Sequence, residues 1–354
     1  VKVLHLPYNV ASLISNSILA LKSIGVEAKG IAFGKNERLT ENGITVFDDF
    51  KGDNAISKKI KQASYLLHYY KLIKWADIVH WYWKVDILPM NLEFKLLKLF
   101  KKPGVVEWLG NDIRIPEEEF KDNPYYKSEW EHTIQKSSLE RSKKIQKVFS
   151  RYGFKVVSIP GMDRYLLPEY YPVVDFYLRQ RIVSDDFVPA FPDPCKKVPV
   201  IVHASAVKKT KGTEYVRIAL NRLKLKYEFE EVMLDKVPRT EALKQMQRAD
   251  IYVDQLILGH HGLAAVEAMA FGKPVLCYTK QSLLSQYPSE LPLVNANPDD
   301  VYEQLKFLLD NPAKRTEIGI KSRQYVEMYH SQSVLAHEMV NIYKRVIEDY
   351  KNKA

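Results

Sequence analysis

Two segments of the chain bring chemistry-bearing residues close together. The first reads His203-Ala-Ser-Ala-Val-Lys208-Lys209-Thr-Lys211-Gly212-Thr213-Glu214. An apolar run ends there, three lysines follow within four positions, and a glycine opens a helical pattern. Ammonium groups beside a helix N-terminus and its free amides form an anion trap, most naturally for phosphates. A solvated lysine-rich loop is the plain alternative. The second segment runs from Asp254 through Gly259, His260, His261 and Gly262 to Leu263, Glu267, Gly272 and Tyr278. A strand ends, a turn with two glycines follows, and an alanine-rich helix starts near Gly262. Helical spacing sets Leu263, Val266 and Ala270 on one side, so Glu267 stands beside apolar neighbours. A carboxylate there pairs with a cation or accepts hydrogen bonds from a ligand's hydroxyls. An ordinary helix-surface glutamate is the competing reading.

Other chemistries lose their support in the same sequence. No two of the fourteen glycines are spaced two apart, which removes the G-x-G-x-x-G dinucleotide fingerprint, and no phosphate loop ending in Gly-Lys-Ser/Thr occurs. No two aspartates stand two apart, so the Asp-x-Asp pattern that holds a divalent ion in many sugar transferases is missing. No G-x-S-x-G elbow is present. Adjacent His260 and His261 lack the i,i+4 spacing of a helical zinc pair. Cys195 and Cys277 are the only cysteines, too few for a disulfide scaffold or a four-cysteine zinc site. The reading is a protein without metal or cofactor.

The elements that must position these residues follow from hydrophobic patterning. The chain has 354 residues, 46% of them hydrophobic and 27% charged, the composition of a globular protein of two domains. No eighteen consecutive residues are apolar, so no helix is expected to span a bilayer. The start, Val1 to Leu6 followed by Pro7, reads as a strand rather than a signal peptide, and the expected compartment is cytoplasmic. Strand patterns at Val1–Leu6, Glu27–Phe33, Ile78–Trp83, Gly104–Leu109, Lys147–Ser150 and Val156–Ile159 alternate with helical ones. These helical stretches include Ser12–Ser23, Ile56–Trp75, Met90–Phe100 and Glu129–Lys144. Apolar strands separated by helices describe a parallel sheet covered on both faces. Residues 186–199 hold four prolines and read as a linker. The alternation then restarts at Val200–His203. The fold class is α/β, with two Rossmann-like doubly wound domains facing across a cleft, the usual place for a ligand. The predicted boundaries are 1–185, the linker 186–199, 200–330, and a C-terminal helix over 331–354 that packs back on the first domain.

The run Gly262-Leu-Ala-Ala-Val-Glu267-Ala-Met-Ala-Phe-Gly272-Lys-Pro-Val resembles the C-terminal signature of glycosyltransferases with the GT-B fold, especially the large retaining family 4. The likeness extends to Lys211-Gly212 after a strand and Ala249-Asp250-Ile251 before one. It also takes in Gly110-Asn111-Asp112-Ile113-Arg114 and Tyr325-Val-Glu-Met-Tyr-His330. It covers the chain in the expected order. The resemblance implies that a nucleotide-sugar donor lies on the C-terminal domain, with Glu267 on the ribose hydroxyls. Lys211 and Lys208 would act on the diphosphate, with Lys209 beside them. Gly259, His260, His261, Gly262 and Leu263 would line the donor. Asn9, Gly110, Asn111 and Asp112 would face the acceptor. Two positions depart from the family pattern. Its usual first glutamate, eight residues before Glu267, is Gly259, and its frequent histidine before Gly-x-Asp is Leu109. His260 or His261 would supply the lost polar contact, unless both are surface residues.

Charge adds a further expectation. Lysine and arginine outnumber acids by ten, and residues 51–102 hold eleven lysines against four acidic residues. Lys58, Lys59, Lys61, Lys71 and Lys74 are interleaved with Ile60, Tyr65, Leu66, Leu67, Tyr69, Tyr70, Leu72, Ile73 and Trp75. A basic helix over 56–75 with an aromatic-aliphatic face suits an anionic membrane surface; the alternative packs that face on the sheet. No RNA- or DNA-binding motif accompanies it, and no nucleic-acid partner is expected. The function read from the sequence is transfer of a sugar from a nucleotide-sugar to a hydroxyl of a glycan or lipid-linked saccharide. The alternative is a catalytically silent fold of the same kind that holds nucleotide or glycan.

Overall fold

The structure is a computed structural model that describes residues 1–34, 43–48, 50, 54–83, 87–130, 138–205 and 207–353. In chain order it runs β1 Lys2–Leu6, α1 Leu13–Ser23, β2 Glu27–Phe33, β3 Ile44–Phe47, α2 Ala55–Trp75, β4 Ile78–Tyr82, α3 Leu92–Leu99 and β5 Gly104–Trp108. Next come α4 Pro116–Phe120, α5 Pro124–Trp130, α6 Leu139–Arg151, β6 Lys155–Ser158 and β7 Phe176–Tyr177. The remainder is β8 Val200–Ser205, α7 Lys208–Lys211, α8 Thr213–Leu223, β9 Glu230–Asp235, α9 Arg239–Arg248, β10 Ile251–Val253, α10 Leu263–Ala270, β11 Val275–Cys277 and β12 Val294–Asn295, closed by α11 Val301–Asp310, α12 Pro312–Tyr329 and α13 Gln332–Lys353.

The chain forms two compact bodies. The first comprises Val1–Ile115, Ser137–Arg181 and Gln332–Ala354; the second comprises Pro116–Lys136 and Ile182–Ser331. The first body's sheet has the order β3-β2-β1-β4-β5-β6-β7, and every pairing is parallel. Its strands are apolar on both faces, as a helix-covered parallel sheet requires. Leu4, Val79 and Val106 point into a core with Tyr65, Tyr69, Trp81, Phe94 and Phe149. Their neighbours Val3, Ile78 and Val105 point the other way, onto Ile14 and Ile18 of α1 and Leu335, Met339 and Tyr343 of α13.

A buried polar network crosses that second layer. The Arg181 guanidinium donates to both carboxylate oxygens of Glu107 at 3.1 and 2.7 Å, to the Ser17 hydroxyl at 2.6 Å and to the Tyr82 hydroxyl at 2.9 Å. His80 lies 3.2 Å from Glu107 and 2.7 Å from the Tyr343 hydroxyl. Arg181, Glu107 and His80 have no solvent exposure. The network therefore joins strands β4 and β5 to α1, to α13 and to the chain at Arg181.

Residues 147–150, which read as a strand in sequence, lie inside α6. Ser142, Ile145, Gln146 and Phe149 are its buried positions, a helical spacing that outweighs one short β-branched run, and Ser138 caps the helix through Arg141. The expected helix 129–144 is two elements, since Glu129 ends in α5 and residues 131–137 lie outside those described.

The second body's sheet has the order β12-β11-β10-β8-β9, again all parallel. Order reverses between β8 and β10. In open α/β sheets the crevice beyond the carboxyl ends of two such strands is where ligands bind. The loops leaving β8 and β10 are the two segments singled out in the sequence. The proline-rich stretch packs on this body, with Ala190 donating to the Phe271 carbonyl at 2.9 Å and Phe187 buried in its core. No described helix is long and apolar enough to cross a membrane.

Candidate functional site

The carboxyl ends of β8 and β10 are pinned together by His203. Its Nδ1 faces the Val253 carbonyl at 2.9 Å, an oxygen that only accepts, so Nδ1 carries the proton. Nε2 then accepts from the Thr213 hydroxyl at 2.9 Å. Burial pushes this imidazole down to about 4, against the help of the Val253 carbonyl, and keeps it neutral. The neutral ring thus ties the first residue of α8 to the sheet.

Lys208 to Lys211 form a single turn, and Gly212 follows with φ +70°. That left-handed conformation favours glycine, and a Cβ there would stand 3.0 Å from the Leu256 Cβ. The three lysines of the loop diverge. The Lys208 ammonium pairs with Asp235 at 2.8 Å, at the end of β9, with both side chains about half exposed. Lys209 and Lys208 line an open groove of about 390 Å³ with Glu129, Gly212, Thr213, Glu214, Tyr215 and Arg217. Lys211 alone turns to the loop after β10, where its ammonium pairs with the fully buried Asp254. The Lys211 carbonyl also accepts from the Leu256 amide at 3.2 Å, fastening the two loops to each other.

Gly262 caps α10 in an extended conformation, φ −102°, which any residue adopts. Space rather than torsion distinguishes it, because a Cβ would meet nothing nearer than the Gln255 amide at 3.9 Å. Leu263 opens the helix and packs partly on the core. Glu267, one turn further on, is buried, and its Oε1 accepts from the Arg239 guanidinium at 2.5 Å. Burial raises the Glu267 carboxyl above its ordinary range, while Arg239 and, more weakly, Lys211 oppose that rise. Tyr252, deep under the site, is held un-ionised by burial and by the charges of Asp254 and Glu267. Its hydroxyl has no hydrogen-bond partner among the described residues.

His260 and His261 are buried, not surface loop residues. The His260 carbonyl accepts from Gln255, its Nδ1 donates to the His261 carbonyl at 3.3 Å, and the His261 ring lies 5.0 Å from Tyr287. Gly259 has φ +74°, and a Cβ built on it would fall 2.4 Å from the Lys280 Cγ. The Lys280 stem fills the space where a side chain at 259 would begin. Its ammonium is buried and pairs with Glu119 at 2.9 Å and Asp122 at 3.2 Å. Asn123 donates to the Ile257 carbonyl at 2.9 Å, so residues 119–123 brace this loop directly.

The remaining candidates belong to the first body and are engaged locally. The Asn9 Oδ1 accepts from the amides of Ile14 and Ser15 at the start of α1, at 3.0 and 3.2 Å. Asp112 accepts from the amides of Leu109, Gly110 and Ile113 at 3.1, 2.8 and 3.1 Å; burial nonetheless pushes its carboxyl up to about 6. Exposed Asn111 accepts from Arg114 at 3.2 Å. These side chains build two tight turns at the carboxyl ends of β1 and β5.

Sequence reasoning missed Asp254 as the partner of Lys211, and it missed Arg239 and Lys280. Arg239 carried one signal: a cation as the first residue of a helix opposes the helix dipole and calls for a nearby carboxylate. Lys280 carried none. Among the described residues no group of three His, Cys, Asp or Glu side chains is placed to hold a metal ion.

Comparison with known proteins bears on this arrangement. Residues 211–325, which contain Lys211, Arg239, Asp254, Gly262 and Glu267, match the family model for glycosyl transferases group 1. A search of curated protein sequences finds no match. Among solved structures, sucrose-phosphate synthase from Thermosynechococcus elongatus aligns with a TM-score of 0.66 at 12% identity, covering 99% of this chain and 100% of that one. Anabaena HepE in complex with UDP and glucose aligns at 0.65 and 12% identity, covering 97% and 99%. An α-glucosyltransferase in complex with UDP aligns at 0.62 and 11% identity, covering 97% and 99%. The chain has the GT-B fold, and residues 211–325 of its second body are similar to glycosyl transferases group 1.

Proposed function

We propose that the chain is a glycosyltransferase that moves a sugar from a nucleotide-sugar donor to a hydroxyl of a glycan or lipid-linked saccharide, with retention and without a metal. One observation carries the reading. At the switch point of the second sheet a cation, Lys211 in the turn after β8, and a half-engaged carboxylate, Glu267 one turn into α10 after β10, are set beside the N-terminus of α10. The UDP and glucose in the HepE structure support a nucleotide-sugar as the donor. Breaking the sugar–phosphate bond leaves a nucleoside diphosphate with growing negative charge. Lys211 and the free amides at the start of α10 stabilise that charge where it develops. Glu267 accepts hydrogen bonds from the ribose hydroxyls. A fixed cation and helix amides do the work that a divalent ion does in metal-dependent transferases.

Lys211→Ala is expected to weaken nucleoside diphosphate binding by about 1.5–3 kcal/mol, the size of a hydrogen bond to a charged group. Calorimetry on a panel of UDP, GDP, ADP and TDP reads it, and unchanged affinity removes the diphosphate assignment. A second reading, nucleotide binding without turnover, draws on Gly259, where Lys280 leaves no room for a side chain. Release of nucleoside diphosphate from any donor sugar decides between the two.

An anionic membrane surface is the proposed setting of the acceptor. Tyr65, Tyr69, Leu72 and Ile73 pack α2 on its sheet, yet the helix carries a second apolar stripe. Ile56, Ile60 and Leu67 are 73%, 65% and 58% exposed, flanked by exposed Lys58, Lys59, Lys71 and Lys74. Basic side chains around exposed aliphatic ones fit anionic headgroups above acyl chains. The pair Ile60→Ser and Leu67→Ser is expected to lower binding to phosphatidylserine vesicles about tenfold or more, from loss of two inserted side chains. Equal sedimentation of wild type and variant with such vesicles would remove the membrane from the account.

A further inference from the structure

Arg239 stands at a place that electrostatics disfavours. It is the first residue of α9, where the helix dipole repels a cation, and Pro238 before it offers no capping side chain. What offsets this is Glu267, whose Oε1 the guanidinium reaches at 2.5 Å across 28 positions of sequence. Glu267 needs that partner, because a buried carboxylate loses its hydration. The contact is one-sided. Only Oε1 is taken, and Oε2 makes no hydrogen bond among the described residues. A single guanidinium contact therefore holds one carboxylate oxygen and leaves the other free. Lys211 is excluded as the fixing group, because its ammonium is committed to Asp254.

We infer that Arg239 is the positioning residue that holds Glu267 charged and turned so that its free oxygen reads the ribose of the donor, and that Arg239 itself makes no contact with phosphate. This rests on the nucleotide-sugar reading above and goes beyond it by assigning ribose selection to a pair, with the arginine acting through the glutamate. A guanidinium held on a carboxylate confers discrimination between ribose and 2′-deoxyribose. A guanidinium on the diphosphate would confer affinity without discrimination.

The test compares a ribonucleoside diphosphate with its 2′-deoxy counterpart by calorimetry, using whichever of UDP, GDP or ADP binds the wild type. The wild type is expected to favour the ribo form by about tenfold or more, as one charged hydrogen bond provides. Arg239→Ala and Glu267→Gln should each bring that ratio to within about twofold of unity, and the double variant should lose no more than either single one. Arg239→Lys, which keeps the charge, should recover part of the preference. If Arg239→Ala weakens both ligands equally and leaves the ratio intact, the arginine binds phosphate and the inference is overturned. Absence of a ribo preference in the wild type overturns it as well, while leaving diphosphate binding standing. If no diphosphate in the panel binds the wild type, the nucleotide-sugar reading itself fails and the inference goes with it.

Discussion

An Arg181→Ala variant is expected to unfold with about 3–5 kcal/mol less stability than the wild type, the usual loss when one member of a buried ion pair is removed. The remaining partner decides the size. Glu107 would keep a carboxylate with no solvent contact, facing Tyr82 and His80, with its two strongest hydrogen bonds gone. Arg181 at present holds the Glu107 carboxyl down to about 2 in spite of burial. A depressed carboxyl stabilises the fold above its unfolded value near 4.5 and loses that contribution as pH falls towards 2. At about 1.4 kcal/mol per pH unit this window is worth roughly 3 kcal/mol.

The variant should reverse the sign. With the guanidinium gone, burial favours the protonated acid, and acidification from neutrality should recover stability instead of removing it. Urea midpoints measured between pH 3 and pH 8 for both proteins test this. The double variant Arg181→Met with Glu107→Gln leaves no unpaired charge and should lie closer to the wild type than Arg181→Ala. A loss under about 1 kcal/mol in Arg181→Ala, or parallel pH profiles, would show that the network does not bind the first body together.

Placing a glutamate at position 259 has the second large effect. Gly259→Glu is expected to cost about 3–5 kcal/mol and to bring no gain in transfer. The backbone there has φ +74°, where a side chain costs about 1–2 kcal/mol before any contact is counted. The new Cβ would then sit 2.4 Å from the Lys280 Cγ, a separation that forces the lysine aside. Lys280 cannot move without leaving Glu119, with which it forms a pair buried on both sides. Gly259→Ala should already show most of the loss, because the first carbon makes the clash. Combining Gly259→Glu with Lys280→Ala should fail to restore stability, since buried Glu119 then loses its cation. Thermal and urea unfolding report the losses. A Gly259→Glu protein as stable as the wild type, or one that turns over donor faster, would contradict the fit of lysine and glycine described for this loop.

How much of this was legible beforehand depends on the range over which each force acts. Backbone punctuation is local, and it was read correctly where it was strong. Apolar runs such as Val1–Leu6 and Gly104–Leu109 became central strands, and the turn expected around Gly259 has φ +74° there. The Glu-Ala-Met-Ala run placed Glu267 on a helix at the end of a strand–turn unit, and the structure buries it there. Where local signals were weak they misled. Residues 147–150 look like a strand for four positions, but the helical spacing of Ser142, Ile145 and Phe149 extends further and prevails.

The chain by itself thus determined two α/β bodies and singled out two loops of the second, which strand order brings to the reversal point of its sheet. Only tertiary structure decided which side chains face each other within them. Three neighbouring lysines look equivalent in sequence, yet strand order sends Lys208 to Asp235 at the end of β9 and Lys211 to Asp254 just after β10. Arg239 finds Glu267, and Lys280 crosses Gly259 to reach Glu119, over separations that no local pattern spans. The physical reason is that propensity and periodicity act over a few residues along the chain. A buried charge instead selects its partner through space, after the sheet has set which strands are neighbours.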